Sequence, residues 1–236
     1  MMRNHEDRSW PATNVPRGST VVVLRTAKLG WLAGAERRVR ARPTAVREEF
    51  ALAGQAVGTE PLRPALDPEG LVFGTADDRA RARLLTVLAE VLPAGLLENE
   101  IERLYRYGDD AQRRGVLRAL ELLPVSVVRL GLELVADGLS SDDPQLIAAA
   151  MGPFAAEHLD QEQWRQGVMA CLLAGVTLSA VSRLVPRTDG ELLRMADALA
   201  RELRATGGEI GPDLRTLLGM TVVLALVPPR SPDGRR

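Results

Sequence analysis

The chain has 236 residues, of which 46% are hydrophobic and only 3% aromatic, and its 30 Lys and Arg nearly balance 31 Asp and Glu. This balance argues against a nucleic-acid-binding protein, which needs a concentrated excess of basic residues. A single cysteine, Cys171, and two histidines exclude an internal disulfide framework, a cysteine-based zinc site and a multi-histidine metal centre. We therefore expect a core of Leu, Val and Ala, with no metal and no cofactor.

The apolar segments of the chain are short. The longest apolar run covers residues 220–227, whereas roughly 20 residues are needed to cross a bilayer. The N-terminal segment is polar as far as Ser19 and lacks the pattern of a secretory signal. We therefore expect no membrane span and a cytoplasmic location.

Two terminal segments, 1–19 and 228–236, lack hydrophobic periodicity, and we predict a disordered N-terminal arm and a disordered tail. Between them, apolar residues recur every three or four positions, which is helical spacing. Pro144 and Pro212 follow a capping residue or glycine and mark two further helix starts. The predicted helices cover 21–42, 44–57, 75–92, 96–107, 112–123, 126–139, 160–175 and 188–206.

Four segments combine a small capping residue with a carboxylate or amide three positions later, which is the pattern of a helix N-terminus. These pairs are Thr75 with Asp78, Asp109 with Gln112, Asp160 with Gln163, and Thr188 with Glu191.

Three Asp-Asp pairs, which begin at Asp77, Asp109 and Asp142, are spaced by 32 and 33 residues. Each interval has room for one hairpin of two short helices, the repeating unit of an α-solenoid. We therefore predict an all-α fold of stacked antiparallel helical hairpins, an α-solenoid-like single domain over residues 20–227. The aspartate-rich diphosphate–magnesium motif of isoprenoid enzymes has a further aspartate three residues after the pair, which none of these pairs has. Capping of helix N-termini explains them better.

The helix predicted at 96–107 carries a group of candidate site residues. Glu98 and Glu102 lie four residues apart on one face, and Tyr105 lies three residues beyond Glu102. If buried, two carboxylates and a phenol could perform acid–base chemistry, with Asn99 as a further ligand-binding group. The alternative is a solvated acidic face that pairs with neighbouring arginines.

A second group of candidates surrounds the start of the helix predicted at 160–175. His158 either acts as a general base or is a loop residue that bonds to the backbone. Trp164 is either a core residue or a platform for a ligand. Gln166 points away from Trp164 and is a candidate polar group of a pocket.

Six stretches in a fixed order carry a family resemblance: GLVFGT at 70–75, ERLYRYGDD at 102–110, RGVLRAL at 114–120, HLDQEQWRQ at 158–166, AGVTL at 174–178 and ELLRMADALARE at 191–202. With them, residues 71–218 resemble the EboA-domain family. Two positions depart from the family pattern, because 168–170 lack its lysine and Thr177 replaces its proline. The chain is therefore similar to a divergent member.

The resemblance implies an all-α protein encoded in gene clusters of bacterial secondary metabolism, beside enzymes of the prenyltransferase and isomerase types. In cyanobacteria, such clusters are linked to moving or maturing a precursor toward the periplasm. The resemblance thus indicates a biological setting rather than a reaction.

Three hypotheses about function follow. In the first, the protein is an accessory protein of natural product biosynthesis that binds an apolar or prenylated pathway intermediate in a helical pocket, with Tyr105, His158 and Gln166 as polar groups. In the second, it is a divergent cyclase or isomerase in which Glu98 or Glu102 is the acid–base group. In the third, it is a helical scaffold that holds other enzymes of the same gene cluster. Convergence of Glu102, Tyr105 and His158 in one pocket would favour the first two.

Overall fold

Helices make up the fold. The computed structural model describes the backbone of residues 17–226 and the side chains of residues 28–220. This part of the chain contains no β-strand, which confirms the predicted all-α single domain. Its helices are α1 Arg17–Ala41, α2 Val46–Val57, α3 Ala76–Val91, α4 Ala94–Arg106, α5 Asp110–Ala119, α6 Val128–Leu139, α7 Pro144–Ala150, α8 Pro153–His158, α9 Gln161–Leu173, α10 Leu184–Arg187, α11 Gly190–Ala205 and α12 Pro212–Leu226.

All eight predicted helices occur, and Pro144 and Pro212 each begin a helix as expected. The two helices that the sequence did not predict, α8 and α10, have six and four residues. Such lengths are too short for a hydrophobic period to be recognised. The predicted tail and residues 1–16 of the predicted arm lie outside the described residues, as do the side chains of the apolar run 220–227 beyond its first residue.

The side chains at the helix starts mostly act as predicted. Asp109 accepts a hydrogen bond from the backbone N–H of Gln112 at 2.8 Å, and Asp160 caps α9 in the same way. The predicted start of α11 at Thr188 is wrong. Asp189 is the capping residue, and it accepts from the N–H of Leu192 at 3.0 Å. The Thr188 hydroxyl instead donates to a carbonyl of the preceding short helix.

The order of helix contacts defines the architecture. α3 contacts α5, α5 contacts α7, α7 contacts α9, and α9 contacts α11, while α4 contacts α6 and α6 contacts α8. Stacked hairpins produce this order, since equivalent helices of successive hairpins then become neighbours. The α-solenoid-like arrangement itself stays a prediction of the sequence.

The helices enclose a continuous core of Leu, Val and Ala with a few large side chains, among them Trp164, Tyr105 and Phe50. α3 and α5 have the most extensive contact of the described helices, and a glycine contributes to it. A Cβ atom at Gly115 of α5 would lie 2.5 Å from the Arg81 side chain of α3. The absence of a side chain at Gly115 therefore leaves room for a buried arginine between the two helices.

Candidate functional site

A cluster of buried charged residues lies between α3 and α5. Asp77, Asp78, Arg81 and Arg114 are only 0%, 2%, 3% and 8% exposed. The Nε of Arg114 donates to both oxygens of Asp78, at 2.8 and 3.0 Å. Arg81 binds Asp77 and donates from its Nε to the Phe50 carbonyl at 3.1 Å. Because buried charges are costly unless paired and hydrogen-bonded, these bonds allow the cluster to be part of the core.

The loop that precedes α3 is held from within by a buried carboxylate. Asp67 accepts hydrogen bonds from the backbone N–H groups of Leu71, Val72 and Phe73, at 2.9, 2.9 and 2.8 Å. Gly74 then turns the chain into α3 with φ of +74°, a conformation that glycine adopts at little cost. The loop is therefore held in shape by bonds among its own residues.

Arg118 of α5 fixes the other side of the same loop. Its guanidinium donates to the carbonyls of Gly70, Leu71 and Val72, at 3.3, 2.5 and 3.1 Å. Its Nε is buried and has no hydrogen-bond partner in the described part of the chain. Burial lowers the pKa of Arg118, but an arginine side chain still keeps its charge at neutral pH. The loop is thus bound to a partly buried cation whose Nε has no partner among the described residues.

A cavity of 330 Å³, here called the Arg118 cavity, opens beside this loop between α3, α5, α8 and the short helical turn Leu178–Ala180. Its walls are largely apolar, and its polar groups come from a few side chains. Such a combination is typical of small-molecule sites. The apolar wall includes Leu62, Val72, Phe73, Leu117, Phe154 and Ala180. The polar groups belong to Asp78, Arg79, Arg118, Glu121 and Ser182.

The wall of the Arg118 cavity has two arginines and two carboxylates, which do not form ion pairs with one another. Asp78 is already paired with Arg114. Neither Arg79 nor Arg118 forms an ion pair with any residue that the structure describes. Burial raises the pKa of Glu121, and the smaller opposing effect of Arg118 does not offset this rise. With Asp78 bound by Arg114, Arg79 and Arg118 remain at the wall with Glu121 as the other carboxylate.

The structure brings two of the predicted site residues together elsewhere. Asn99 and Glu102 line a wider groove of 640 Å³, here called the α4 groove, which also includes Arg47, Leu96, Arg103 and Tyr107. Glu102 pairs with Arg106 at 3.4 Å. Glu98 does not line the α4 groove; its carboxylate lies 3.7 Å from Arg129.

The other predicted site residues lie apart from the α4 groove and from one another. Tyr105 is in the core, where its hydroxyl donates to Asp137 at 2.8 Å, and burial together with this carboxylate raises the pKa of Tyr105 to about 12. His158 was expected in a loop; it ends α8 and is exposed. Trp164 is fully buried, and Gln166 is exposed in a separate groove beside α9.

Sequence reasoning missed Arg118 and Phe73 as site residues, although both lie in stretches that carry the family resemblance. A signal for Arg118 was present. Arg114 and Arg118 are four residues apart and flank Leu117 on one helical face. Arginines on an apolar face indicate buried cations, which must serve a carboxylate, a carbonyl or a ligand.

The family was identified by comparison with known proteins. The family described as "Metabolite traffic protein EboA" matches residues 72–219, more than half of the chain. The chain belongs to the EboA family. The match confirms the resemblance found in the sequence, and membership implies a role in metabolite traffic and a small molecule as partner. No curated protein and no solved structure matches this EboA protein.

The matched range favours the Arg118 cavity over the α4 groove. All the cavity residues named above except Leu62 lie within residues 72–219, whereas the groove takes Pro43, Thr44 and Arg47 from outside this range. A property shared by the family has to be carried by the matched part of the chain.

Among the helices of the described residues, none has the length and apolar character needed to cross a membrane.

Proposed function

We propose that this EboA protein binds a small pathway metabolite with an apolar body in the Arg118 cavity, and that it carries or shields this metabolite between steps of bacterial secondary metabolism. The observation that carries the proposal is the cavity itself, with apolar walls around a partly buried arginine whose buried Nε has no partner among the described residues. The cavity volume of 330 Å³ is at the lower end of the range of about 300–1,000 Å³ for ligand pockets.

The fixed loop supports this proposal. A binding site gains affinity when its walls are ordered in the free protein, because binding then loses little conformational entropy. Asp67 and Arg118 together form six hydrogen bonds to the backbone of residues 70–73. They therefore hold the wall formed by Val72 and Phe73 in place.

The acid–base alternative is less well supported. Glu98 and Glu102 lie near the surface and have arginine neighbours, whereas acid–base catalysts are usually tuned by restricted access to water. The scaffold alternative stays a hypothesis.

Native mass spectrometry of the protein isolated gently from its own host tests the proposal. Wild type is expected to carry an additional mass that is released on denaturation. Ser182→Trp places a large side chain at the cavity wall and should abolish the additional mass. Ser179→Trp is the matched control, since Ser179 is exposed and does not line the cavity. The same mass on all three proteins, or on none of them while the pathway is active, would contradict the proposal.

A further inference from the structure

We infer that the metabolite is an anion, whose charged group lies beside Arg79 and Arg118 while its apolar body packs against Phe73, Leu117 and Phe154. This inference rests on the proposed function and adds the chemical class of the ligand.

The first argument is the inventory of charge at the cavity. Two guanidinium groups contribute to its wall, and neither has a carboxylate partner among the described residues. Arg118 binds three carbonyls, which satisfy some of its N–H donors but do not neutralise its charge. Asp78 contributes little net charge because it is paired with Arg114. The remaining acidic groups are Glu121 at the wall and Asp67 behind the loop, both of which act on Arg118. The carboxylate of Asp67 already accepts three backbone N–H groups.

A third cation extends the positive surface. The guanidinium of Arg63 lies 4.3 Å from the centre of the Phe73 ring, and Phe73 lines the cavity. Arg63 also forms no ion pair within the part of the chain that the structure describes. Cations clustered around an opening of low polarity attract anions and concentrate them there.

The second argument concerns the unsatisfied donor. The Nε of Arg118 is buried without a partner, and an unsatisfied buried donor costs free energy that a hydrogen-bond acceptor would recover. Gly74 lines the same cavity, and a Cβ atom at this position would lie 3.7 Å from that Nε. Gly74 therefore adds no side chain to this part of the cavity, which Arg118 also lines. A carboxylate, sulfonate or phosphate would supply both acceptors and the opposite charge.

Two fluorescent probes with the same rings test the inference. 8-Anilinonaphthalene-1-sulfonate carries an anionic group, and N-phenyl-1-naphthylamine lacks it. We expect wild type to bind the sulfonate about tenfold more tightly than the neutral amine at low salt. Added salt should weaken binding of the sulfonate and leave binding of the amine unchanged.

Variants locate the effect. Arg79→Gln should lower the affinity for the sulfonate about fivefold or more and leave the affinity for the amine unchanged. Arg83→Gln is the matched control on the same helix, because Arg83 does not line the cavity and pairs with Glu36. Ser182→Trp should prevent binding of both probes, and Ser179→Trp should prevent neither.

The outcomes separate the inference from the proposed function. If both probes bind equally and Ser182→Trp prevents both, the anion inference is overturned and the cavity stays a binding site. The same holds if Arg79→Gln weakens both probes to the same extent. If neither probe binds, or if Ser182→Trp has no effect on either, the cavity does not bind such molecules, and the proposed function fails as well.

Discussion

The α4 groove and the Arg118 cavity differ in how their charges are satisfied. The groove is the larger, at 640 Å³ against 330 Å³. Four of its five charged residues nevertheless form pairs, since Arg47 binds Glu100 at 2.6 Å and Arg106 binds Glu102 at 3.4 Å. The fifth, Arg103, lies over the Tyr107 ring, 5.9 Å from its centre. The cavity has arginines without carboxylate partners in the described chain. The two regions therefore rank in opposite order by volume and by the number of arginines without a carboxylate partner.

The α4 groove and the Arg118 cavity are also formed by different parts of the structure. The α4 groove is formed by side chains on the outer face of one helix and its neighbours. The Arg118 cavity adjoins the buried charged cluster of α3 and α5, in which removal of any one charge takes away the shortest ion pair of a buried partner. Substitutions in the two regions should therefore differ most in stability.

The largest expected effect is that of Asp78→Ala, which leaves the buried Arg114 with only the longer contact to Asp77, at 3.5 Å. Loss of one partner from a buried pair costs about 3–5 kcal/mol. Urea unfolding followed by circular dichroism measures this cost. The matched control is Asp110→Ala, since the Asp110 side chain is 69% exposed and its pair with Arg113 is long, at 3.5 Å. We expect the control to cost less than about 1 kcal/mol. Equal losses for the two variants would contradict a structural role for the buried cluster.

The next effect is that of Arg118→Lys, which retains the charge but removes the planar fork of donors. A single ammonium group cannot reproduce bonds to the carbonyls of Gly70, Leu71 and Val72, so we expect a loss of about 1–3 kcal/mol. Hydrogen exchange at the amide of Phe73 should also become faster, because the loop is then held by Asp67 alone.

Arg106→Lys in the α4 groove is the matched control for Arg118→Lys. Arg106 forms an exposed pair with Glu102, and we expect a change below about 1 kcal/mol with no effect on exchange in the loop. Unchanged exchange in Arg118→Lys would show that Arg118 does not order the wall of the cavity.

Much of the fold was predictable from the sequence, because helices longer than two turns carry their own hydrophobic period and capping residues. Asp109 and Asp160 act as the sequence predicted. The exceptions follow from tertiary contacts. At the start of α11, Thr188 and Asp189 are both good capping residues, and the hydrogen bond of Thr188 to the preceding helix leaves Asp189 as the cap.

The site was less predictable than the fold, since charge satisfaction depends on contacts between distant residues. Glu102 and Tyr105 are close in sequence, but Glu102 faces solvent and Tyr105 faces the core. Arg118 contacts carbonyls that lie 46 to 48 residues away in sequence. The spacing of Arg114 and Arg118 beside Leu117 places them on an apolar helix face, but no local pattern shows which distant groups such an arginine contacts.

A smaller effect is expected from pH at the Arg118 cavity. Burial raises the pKa of Glu121. Glu121 therefore becomes neutral as the pH falls through this raised pKa, while Arg79 and Arg118 keep their charge. Anion binding should then strengthen severalfold toward acidic pH in wild type. Glu121→Gln should bind the sulfonate probe more tightly at neutral pH and show a flatter pH profile.

Two controls accompany this titration. His158 packs on Phe154, with ring centroids 4.6 Å apart, and it is the histidine nearest the cavity wall in the described chain, so the series is repeated with His158→Gln. Circular dichroism at each pH verifies that the fold is retained, because partly unfolded states also bind this probe. An equal pH profile in wild type and Glu121→Gln would contradict the assignment of the effect to Glu121.

The smallest effect is expected from Glu102→Gln in the α4 groove. The exposed pair with Arg106 contributes at most about 1 kcal/mol, so stability should change little, and neither probe should bind differently. The product profile of the host should also stay unchanged, because the carboxylate has an arginine partner and open access to water. Asn99→Ala, at an exposed position of the same groove, should likewise leave stability, probe binding and the product profile unchanged.

Loss of the pathway product in Glu102→Gln with normal protein levels would instead identify the groove as an active site and favour acid–base chemistry over metabolite carriage. Ser182→Trp and Glu102→Gln thus form a pair in which each hypothesis predicts the opposite result.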